Sequence, residues 1–502
     1  MASLEEIKKE RLEKISKLRS EGVEVYPIEA NPDYSLQKVA ELFSKLKNRN
    51  RDLVVAGRVW GWRGQGGLIF LDLVDGTGKF QIVFKLNEKN EAEMARFESL
   101  IDRGDFIEFT GSLFLTKTEE KSLEVKSWRI LAKATRPLPD KWHGLTDTEE
   151  RYRRRYLDSL FNNEVKERFI LRSSLITFLR HFLDEAGYLE VETPILQSVA
   201  GGASAKPFKT KHEALGLDLY LRISPELFLK KMLVGGFPRV YELSRCFRNE
   251  GIDATHNPEF TMLEFYESYS DAAKQRAFVE KLFKALAGKF GQKWKIEHEG
   301  EVLDFSGDFK IVSYYELFKR YALINDPAAL PIKELELKAS QLGIELPTGA
   351  PRAKWLDQVY KKVCRPKLTQ PTFIVDYPKD GLPLVKAEKE NPDLVDAFQL
   401  VIGGIEMVKA FSELNDPEEQ RARFRQEERN RQAGDVEAQV ADEDFVEAME
   451  YGMPPAGGVG IGIDRLVMLF SHAANIREVI FFPTLRPRPE ENIDKKNNHL
   501  LV

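Results

Sequence analysis

The chain has 502 residues, which predicts about three domains at roughly 150 residues per domain and argues against a single small binding module. Hydrophobic residues make up 42% and charged residues 31%, as in a charge-rich globular protein and unlike a disordered chain or a fibre. The 75 basic and 80 acidic residues leave a net charge of −5, so any nucleic-acid binding must be local.

The sequence also indicates the compartment. It contains no long uninterrupted apolar stretch, and the first 20 residues mix lysine, arginine and glutamate without the apolar core of a secretory signal, so we expect a cytoplasmic protein with no membrane partner. The two cysteines, Cys246 and Cys364, exclude a disulfide framework and a thiolate metal site.

The first 135 residues are predicted to form a helical extension (1–50) followed by a small barrel (51–135). Apolar residues at helical spacing over 4–20 favour a helix packed on the body of the protein, with a basic helix touching RNA as the alternative. Five short strands and one helix then predict a closed barrel of the oligonucleotide-binding (OB) type. The predicted strands are 52–60, 68–74, 79–84, 107–115 and 123–131, with the helix near 91–101.

The rest of the chain is predicted to form a larger domain. A Pro-rich break begins a linker (136–162), whose basic run at 151–155 favours a salt-bridged joint over an RNA contact. A long helix near 163–186 opens a domain over 163–487, with a helical insertion at about 310–370, and a polar tail follows (488–502).

Three segments of this domain carry unusual chemistry. EAGYLEVETPIL at 185–196 predicts a helix that runs into a strand, and 240–266 predicts a hairpin with Glu242, Arg248 and Glu250 on one face. On the returning strand Phe260, Met262, Glu264 and Tyr266 share a face. Buried unpaired charges are costly, so these faces must be solvated or meet a polar ligand.

The third segment, GGVGIGIDRLVMLF at 457–470, is interpreted as glycines that open a helix, with Arg465 in its first turns. It lacks the third glycine of a dinucleotide-binding fingerprint, and no Walker A loop is present in the sequence. Glycine backbone beside a guanidinium suits a phosphate or a base face.

In order and spacing, the three segments resemble the signature motifs 1, 2 and 3 of class II aminoacyl-tRNA synthetases. GGASAKPF (201–208), RISPEL (222–227), FRNEG (247–251), HNPEFT (256–261) and FSELND (411–416) narrow the resemblance to the lysyl-tRNA synthetases of the class IIb subgroup. The resemblance implies an α+β protein: an N-terminal five-stranded OB-type barrel and a catalytic domain built on an antiparallel sheet flanked by helices.

The resemblance also implies the site residues. Arg248, Glu250 and Arg465 would be catalytic; ATP would bind at these three and at the following residues: His256, Asn257, Phe260 and Glu406. A closed pocket would contact both ends of the lysine substrate, through Gly202, Glu226, Arg248, Glu264, Tyr266, Lys409 and Glu413.

Two positions depart from the family pattern, on a hairpin predicted to turn at Gly403 and Gly404. The family usually has an acid where this chain has Gln399, and uses it with the acid at Glu406 to hold Mg²⁺ on the ATP phosphates. Lys409 stands where the family usually has an asparagine. We therefore expect Glu406 as a metal ligand, with Gln399 as a weak one.

In the barrel, Arg63, Phe70 and Gln81 match positions at which the family reads an anticodon base, with ordinary barrel wall as the alternative for Phe70 and Gln81. The resemblance thus predicts a lysine–tRNA ligase that uses ATP, L-lysine, tRNA(Lys) and Mg²⁺ and forms a homodimer through motif 1. The alternative is a catalytically silent or altered-specificity paralogue that binds RNA or nucleotide.

Overall fold

The computed structural model describes residues 3–49, 51–65, 67–86, 91–139, 145–347, 349–432 and 438–488. The chain divides into two compact units, Met1–Gly144 and Leu145–Val502. The predicted tail lies outside the described residues except for Arg488, as do 140–144 of the predicted linker. The predicted domain boundaries remain predictions.

The first unit contains a closed barrel with strand order β1-β2-β3-β5-β4, in which only the β3–β5 pairing is parallel. Its elements are α1 (Leu4–Ser20), α2 (Leu36–Glu41), α3 (Phe43–Lys47), β1 (Leu53–Gln65), β2 (Leu68–Val74), β3 (Lys79–Lys85), α4 (Glu91–Leu100), β4 (Phe106–Leu115) and β5 (Lys121–Ala132). The predicted barrel is therefore confirmed, with each of the five strands close to its predicted position.

The barrel forms because apolar residues alternate along its strands. On β2 Ile69, Leu71 and Leu73 are buried, while the residues between them are half-buried. Phe97 of α4 packs inside, with its ring 4.9 Å from that of Phe84. Helix α1 buries Ile15 and Leu18 in the same core, which confirms the expected packed helix.

The second unit contains an eight-stranded mixed sheet flanked by helices. Its helices are α5 (Thr148–Arg153), α6 (Arg155–Phe161), α7 (Asn163–Glu185), α8 (Glu226–Val234), α9 (Ala272–Phe290), α10 (Tyr314–Leu317), α11 (Ile332–Gln341), α12 (Arg352–Val359), α13 (Pro417–Gln432), α14 (Glu443–Glu450) and α15 (Ile463–Phe470). Its strands are β6 (Leu189–Glu190), β7 (Leu196–Gln197), β8 (Lys209–His212), β9 (Leu217–Leu221), β10 (Arg239–Phe247), β11 (Glu259–Ser268), β12 (Lys295–His298), β13 (Glu301–Asp304), β14 (Lys310–Ser313), β15 (Thr372–Val375), β16 (Tyr377–Pro378), β17 (Leu394–Val395), β18 (Ala397–Ile402), β19 (Ile405–Ser412) and β20 (Ala456–Gly462).

The strand order of the large sheet is β14-β15-β18-β19-β20-β11-β10-β6. Its six inner strands are antiparallel, as predicted, but the two outermost pairings, β14 with β15 and β6 with β10, are parallel. The predicted fold class, a barrel and a catalytic domain built on an antiparallel sheet flanked by helices, is confirmed, and the parallel pairing is confined to the two edges. Both edge strands are short and are joined to the sheet through long connections, which permit parallel pairing.

One face of the sheet carries the main hydrophobic core. Leu263, Leu400 and Val408 of the sheet pack with residues of α7, α9 and α15, such as Leu179 and Phe283. Because side chains alternate along a strand, the neighbours of these residues point to the opposite face.

Two predicted regions contain more regular structure than the sequence indicates. The predicted linker includes α5 and α6, and the predicted helical insertion begins with β14, which joins the sheet. The insertion ends in a π-helical turn (Tyr360–Cys364) and a 3₁₀ turn (Arg365–Lys367). Among the described helices, none is long and apolar enough to cross a membrane.

Candidate active site

Polar residues line up across the face of the sheet opposite the main core. The register pairs Glu242 with Glu264, Glu264 with Gly460, Gly460 with Lys409, and Lys409 with Gln399. Directly opposed residues of an antiparallel pair share a face, so these five positions form one row across five strands. Gly460 adds no side chain, and the row is therefore open between Glu264 and Lys409.

The glycine segment that crosses this row is a strand, which corrects the prediction that the glycines open a helix. Gly457–Gly462 lie in β20 between β11 and β19, and the helix α15 begins only at Ile463. Glycine inside a strand normally weakens it, and it is found there where a ligand or another backbone approaches closely. The segment therefore forms a flat floor at the centre of the sheet.

Three buried carboxylates lie beside this floor, and we call them, with Ser224 and Tyr266, the acidic pocket. They are Glu226 at the start of α8, Glu264 on β11 and Glu413 after β19. Glu264 accepts hydrogen bonds from the hydroxyls of Ser224 (2.8 Å) and Tyr266 (2.9 Å). The pocket therefore gathers negative charge away from water.

A single ammonium group balances part of this charge. Lys230, one helical turn after Glu226 on α8, is completely buried; its Nζ donates to Glu226 Oε1 at 2.6 Å and forms an ion pair with Glu413. Oε1 of Glu413, however, has no hydrogen-bond partner among the described residues. Three carboxylates thus share one internal cation, and Glu413 is incompletely paired.

The pKa values of the pocket reflect this imbalance. Burial, followed by repulsion from Glu226, raises the pKa of Glu264 to about 7. Burial also raises the pKa of Glu413 well above its ordinary value, although Lys230 acts in the opposite direction. Both shifts have the sign expected of carboxylates that are withdrawn from water.

Two glycines allow the pocket to close. Gly202 has φ of +84°, and a Cβ there would lie 3.0 Å from Glu226 Cβ and 3.1 Å from Ser224 Oγ. A Cβ on Gly458 would overlap both Glu413 Oε1 and the ring of Tyr266. The position of Glu413 against Tyr266 therefore requires glycine at residue 458.

Glu242 belongs to the row but not to the pocket. Its carboxylate pairs with Arg222 at 2.5 Å and accepts from the Thr193 hydroxyl at 2.7 Å. Strand β10 ends at Phe247, so Arg248 and Glu250 lie in the following loop and do not continue the face of Glu242. This corrects the predicted three-residue face.

Arg248 is held at the mouth of the site by this loop. Its backbone N–H donates to Pro258 O at 2.8 Å, and its guanidinium carbon lies 5.0 Å from the centre of the Phe260 ring. The Nε atom of Arg248 is buried without a hydrogen-bond partner among the described residues. Glu250, two residues later, is exposed.

His256 and Arg465 meet at the other side of the hairpin loop. Nε2 of His256 lies 2.8 Å from Arg465 Nη2, and Nδ1 lies 2.9 Å from Asp253. Asn257 is buried and donates to Glu259 O at 2.6 Å, while its own Oδ1 has no partner among the described residues. Of these atoms, Oδ1 of Asn257 is the one left for a bound ligand.

Glu406 lies on the adjoining hairpin and is surrounded by cations. Arg465 Nη1 donates to the backbone oxygen of Glu406 at 3.2 Å. Burial alone would raise the pKa of the Glu406 carboxyl, but the positive charges around it outweigh this effect and lower the pKa below its ordinary value. The charged groups responsible are Arg465, Lys409, Arg365 and Lys361.

The donor set fits one Mg²⁺ ion held largely by phosphates but not a second ion. Mg²⁺ in nucleotide sites usually takes one or two carboxylates together with phosphate oxygens. Glu406 supplies one carboxylate, while the buried Gln399 accepts a hydrogen bond from Tyr360 at 2.9 Å and carries no charge. Within the described ranges, no group of three or more His, Cys, Asp or Glu residues could hold a metal.

In the barrel, the three predicted anticodon residues lie on neighbouring strands. Arg63 is paired with Phe70 across β1 and β2, and its guanidinium carbon is 5.5 Å from the Phe70 ring centre. Phe70 is half-buried and alternates with the core residues of β2, so its ring is on the outer face. Gln81 on β3 accepts from the Ser122 hydroxyl at 2.8 Å.

Lys230, Gly458 and Arg365 are not among the site residues predicted from the sequence. For Lys230 a signal existed, because Glu226 and Lys230 have the i,i+4 spacing of a helical ion pair. For Arg365 and Gly458 the decisive contacts come from residues distant in the sequence, so no local pattern marks them.

Comparisons with known proteins identify the family. The family model described as tRNA synthetases class II (D, K and N) matches residues 147–486, and the OB-fold nucleic acid binding domain (tRNA anti-codon) matches 53–131. The chain is 46% identical to a lysine–tRNA ligase of Pelotomaculum thermopropionicum, covering 97% of the chain and 96% of that protein. It is 45% identical to a lysine–tRNA ligase of Carboxydothermus hydrogenoformans (97% and 99%) and 45% identical to one of Aquifex aeolicus (94% and 77%). The chain therefore belongs to the class II tRNA synthetases of the D, K and N group and, within that group, to the lysine–tRNA ligases.

Proposed function

We propose that the protein activates L-lysine with ATP, giving lysyl-adenylate and pyrophosphate, and then transfers lysine to the 3′ end of tRNA(Lys). The acidic pocket is the observation that carries the choice of lysine. Its three carboxylates face one internal ammonium, so two negative charges remain when all three are ionised. A diamino acid brings two ammonium groups, whereas aspartate or asparagine brings only its α-ammonium and would leave the second charge unpaired, at a cost of several kcal/mol.

The two ends of the substrate have separate partners in this proposal. Glu413 and Tyr266 bind the ε-ammonium, which supplies a donor to Glu413 Oε1, an oxygen with no partner among the described residues. Glu226 and the backbone of Gly202 bind the α-amine, and Glu264 lies between the two ends. Lys409, across Gly460 from Glu264, is on the side of the substrate carboxylate.

Activation is an in-line displacement. A carboxylate oxygen of lysine attacks the α-phosphorus of ATP, the bond from that phosphorus to the oxygen bridging to the β-phosphate breaks, and pyrophosphate leaves. Arg248 bridges the substrate carboxylate and the α-phosphate, because its planar fork can hydrogen-bond two anions and its Nε has no other partner among the described residues. The position of the two reactants accounts for much of the rate acceleration.

The nucleotide lies on the other residues of the loop and of α15. Phe260 and Arg465 stack on the adenine, Glu250 binds its edge, and His256 contacts the outer phosphates, with Asn257 supporting the loop. Glu406 would hold Mg²⁺, which when bound neutralises phosphate charge. Oδ1 of Asn257, which is buried without a hydrogen-bond partner among the described residues, supports a ligand at this place.

The proposal includes the macromolecular partners. The barrel binds the tRNA anticodon through Arg63, Phe70 and Gln81; the outward position of Phe70 supports stacking on an unpaired base. Two copies associate through motif 1, which contains the end of α7, and the enzyme works in the cytoplasm, where a translation enzyme meets its tRNA.

The test is ATP–pyrophosphate exchange measured with each of the twenty amino acids and with ornithine. Lysine should give the fastest exchange, and ornithine should be slower, because one missing methylene is worth about 1–3 kcal/mol. Glu413→Gln should raise the KM for lysine with little change in the KM for ATP. The exposed Glu428→Gln on α13 is the matched control and should leave both unchanged. Faster exchange with aspartate or asparagine than with lysine would refute the assignment.

A further inference from the structure

The segment that ends the helical insertion is fixed against the hairpin that carries Glu406. The backbone N–H groups of Gly404 and Gly403 donate to Leu368 O at 2.9 Å and to Thr369 O at 2.7 Å. The Tyr360 hydroxyl donates to Gln399 on the same hairpin. These contacts give the π-helical and 3₁₀ turns over 360–367 a defined position beside β18 and β19.

Arg365 lies on this segment and has an unpaired donor. Its Nε atom is buried without a hydrogen-bond partner among the described residues, as is Nε of Arg248. A buried unpaired donor is costly unless a ligand supplies an acceptor. Arg365 is half-buried on the segment that these hydrogen bonds hold against the turn of the Glu406 hairpin, and its charge is among those that lower the pKa of Glu406.

The charge around Glu406 favours an anion over a second cation. Arg365, Lys409, Arg465 and Lys361 bring four positive charges to the surroundings of one carboxylate. Lys361 also pairs with Asp357 at 2.8 Å, but neither Lys409 nor Arg365 forms an ion pair with any described residue. A polyphosphate would satisfy these groups, whereas a further divalent ion would be repelled by them.

We propose that Arg365 and Lys409 bind the polyphosphate of ATP and supply fixed positive charge, so that one divalent ion per site suffices for activation. The neutral Gln399, engaged by Tyr360, and the single carboxylate of Glu406 provide for no second ion. This inference rests on the proposed function, because it concerns the ATP of the same reaction. Arg365 and Lys409 are phosphate-binding residues, and each acts by direct contact with the nucleotide.

The first test is pyrophosphate binding without divalent ions, measured by isothermal titration calorimetry. Arg365→Gln and Lys409→Gln should each raise the dissociation constant of inorganic pyrophosphate by about ten- to hundred-fold, the usual worth of a charge-assisted hydrogen bond. Arg365→Lys should recover part of the affinity. Lys362→Gln, an exposed lysine of the same segment, is the matched control and should have no effect. Unchanged affinity in Arg365→Gln and Lys409→Gln would overturn the inference.

The second test counts metal ions with Mn²⁺ as the probe, by equilibrium titration in the presence of saturating ATP. Wild type should bind one Mn²⁺ per site beside ATP, and Gln399→Glu with Lys409→Asn together should bind more than one. A wild-type count of two or three would overturn the inference. Lysine-dependent ATP–pyrophosphate exchange of the wild type is measured in parallel. If exchange occurs, the proposed function stands even when Arg365 has no role in phosphate binding. If exchange is absent, the proposed function is refuted even when the variants lose pyrophosphate affinity as expected.

Discussion

Lysine binding should be coupled to proton release, because Glu264 is charged only part of the time in the free pocket. Its pKa of about 7 lies well above the ordinary 4.5, owing first to burial and then to repulsion from Glu226. A bound ammonium favours the ionised carboxylate and lowers this pKa. At pH 6 and below, each lysine that binds should therefore displace about one proton from Glu264.

The magnitude follows from the titration of this single group. A carboxyl with a pKa of about 7 is about one-tenth ionised at pH 6 and about nine-tenths ionised at pH 8. If lysine binds only the ionised form, its affinity should rise about ten-fold between these two pH values. Glu413, whose pKa is also raised, should add to the increase.

The assay is calorimetric titration of lysine in phosphate and in Tris, because these buffers differ in ionisation enthalpy and the apparent enthalpy then reports the protons released. Glu264→Gln supplies the matched control: the variant should lose most of the pH dependence along with part of the affinity, which separates Glu264 from titrating groups of lysine itself. Equal affinity at pH 6 and pH 8, with no buffer dependence in wild type, would refute the reasoning.

Three further predictions concern stability and the two binding surfaces. Between pH 4.5 and about 7 the folded protein binds more protons at Glu264 than the unfolded chain does, so the free energy of unfolding should fall as pH rises. Glu264→Gln should therefore raise Tm at pH 8, by the equivalent of up to about 3 kcal/mol, and should not raise it at pH 4. A lower Tm of the variant at both pH values would contradict this. Gly458→Ala should raise the KM for lysine at least about ten-fold by displacing Glu413 and Tyr266, and an unchanged KM would show that the pocket tolerates a Cβ there. Phe70→Ala should weaken tRNA charging by about 1–3 kcal/mol while pyrophosphate exchange without tRNA is retained; an equal loss in both assays would mean that Phe70 is structural.

Local patterns predicted much of the fold. The strands of the barrel and the helices α1 and α7 lie close to their predicted positions, because period-2 and period-3.6 alternation directly reflect which side chains are buried. The face shared by Phe260, Glu264 and Tyr266 follows from the same alternation along β11. The prediction that the glycine segment opens a helix is wrong. Glycines carry no hydrophobic pattern, so nothing in the local sequence distinguishes a central strand from the residues that precede a helix.

The sequence by itself determined the residue types of the site and the order of its motifs, since acids, arginines and glycines at these spacings are visible without coordinates. Only the tertiary structure decided which charges pair. It places Lys230 between Glu226 and Glu413, joins Glu242 to Arg222, and brings Arg365 toward Glu406 from a separate turn of the chain. The reason is physical: a carboxylate takes its pKa and its function from burial and from charges within a few ångströms, and the fold brings those charges from helices, turns and strands that are mostly distant in the sequence.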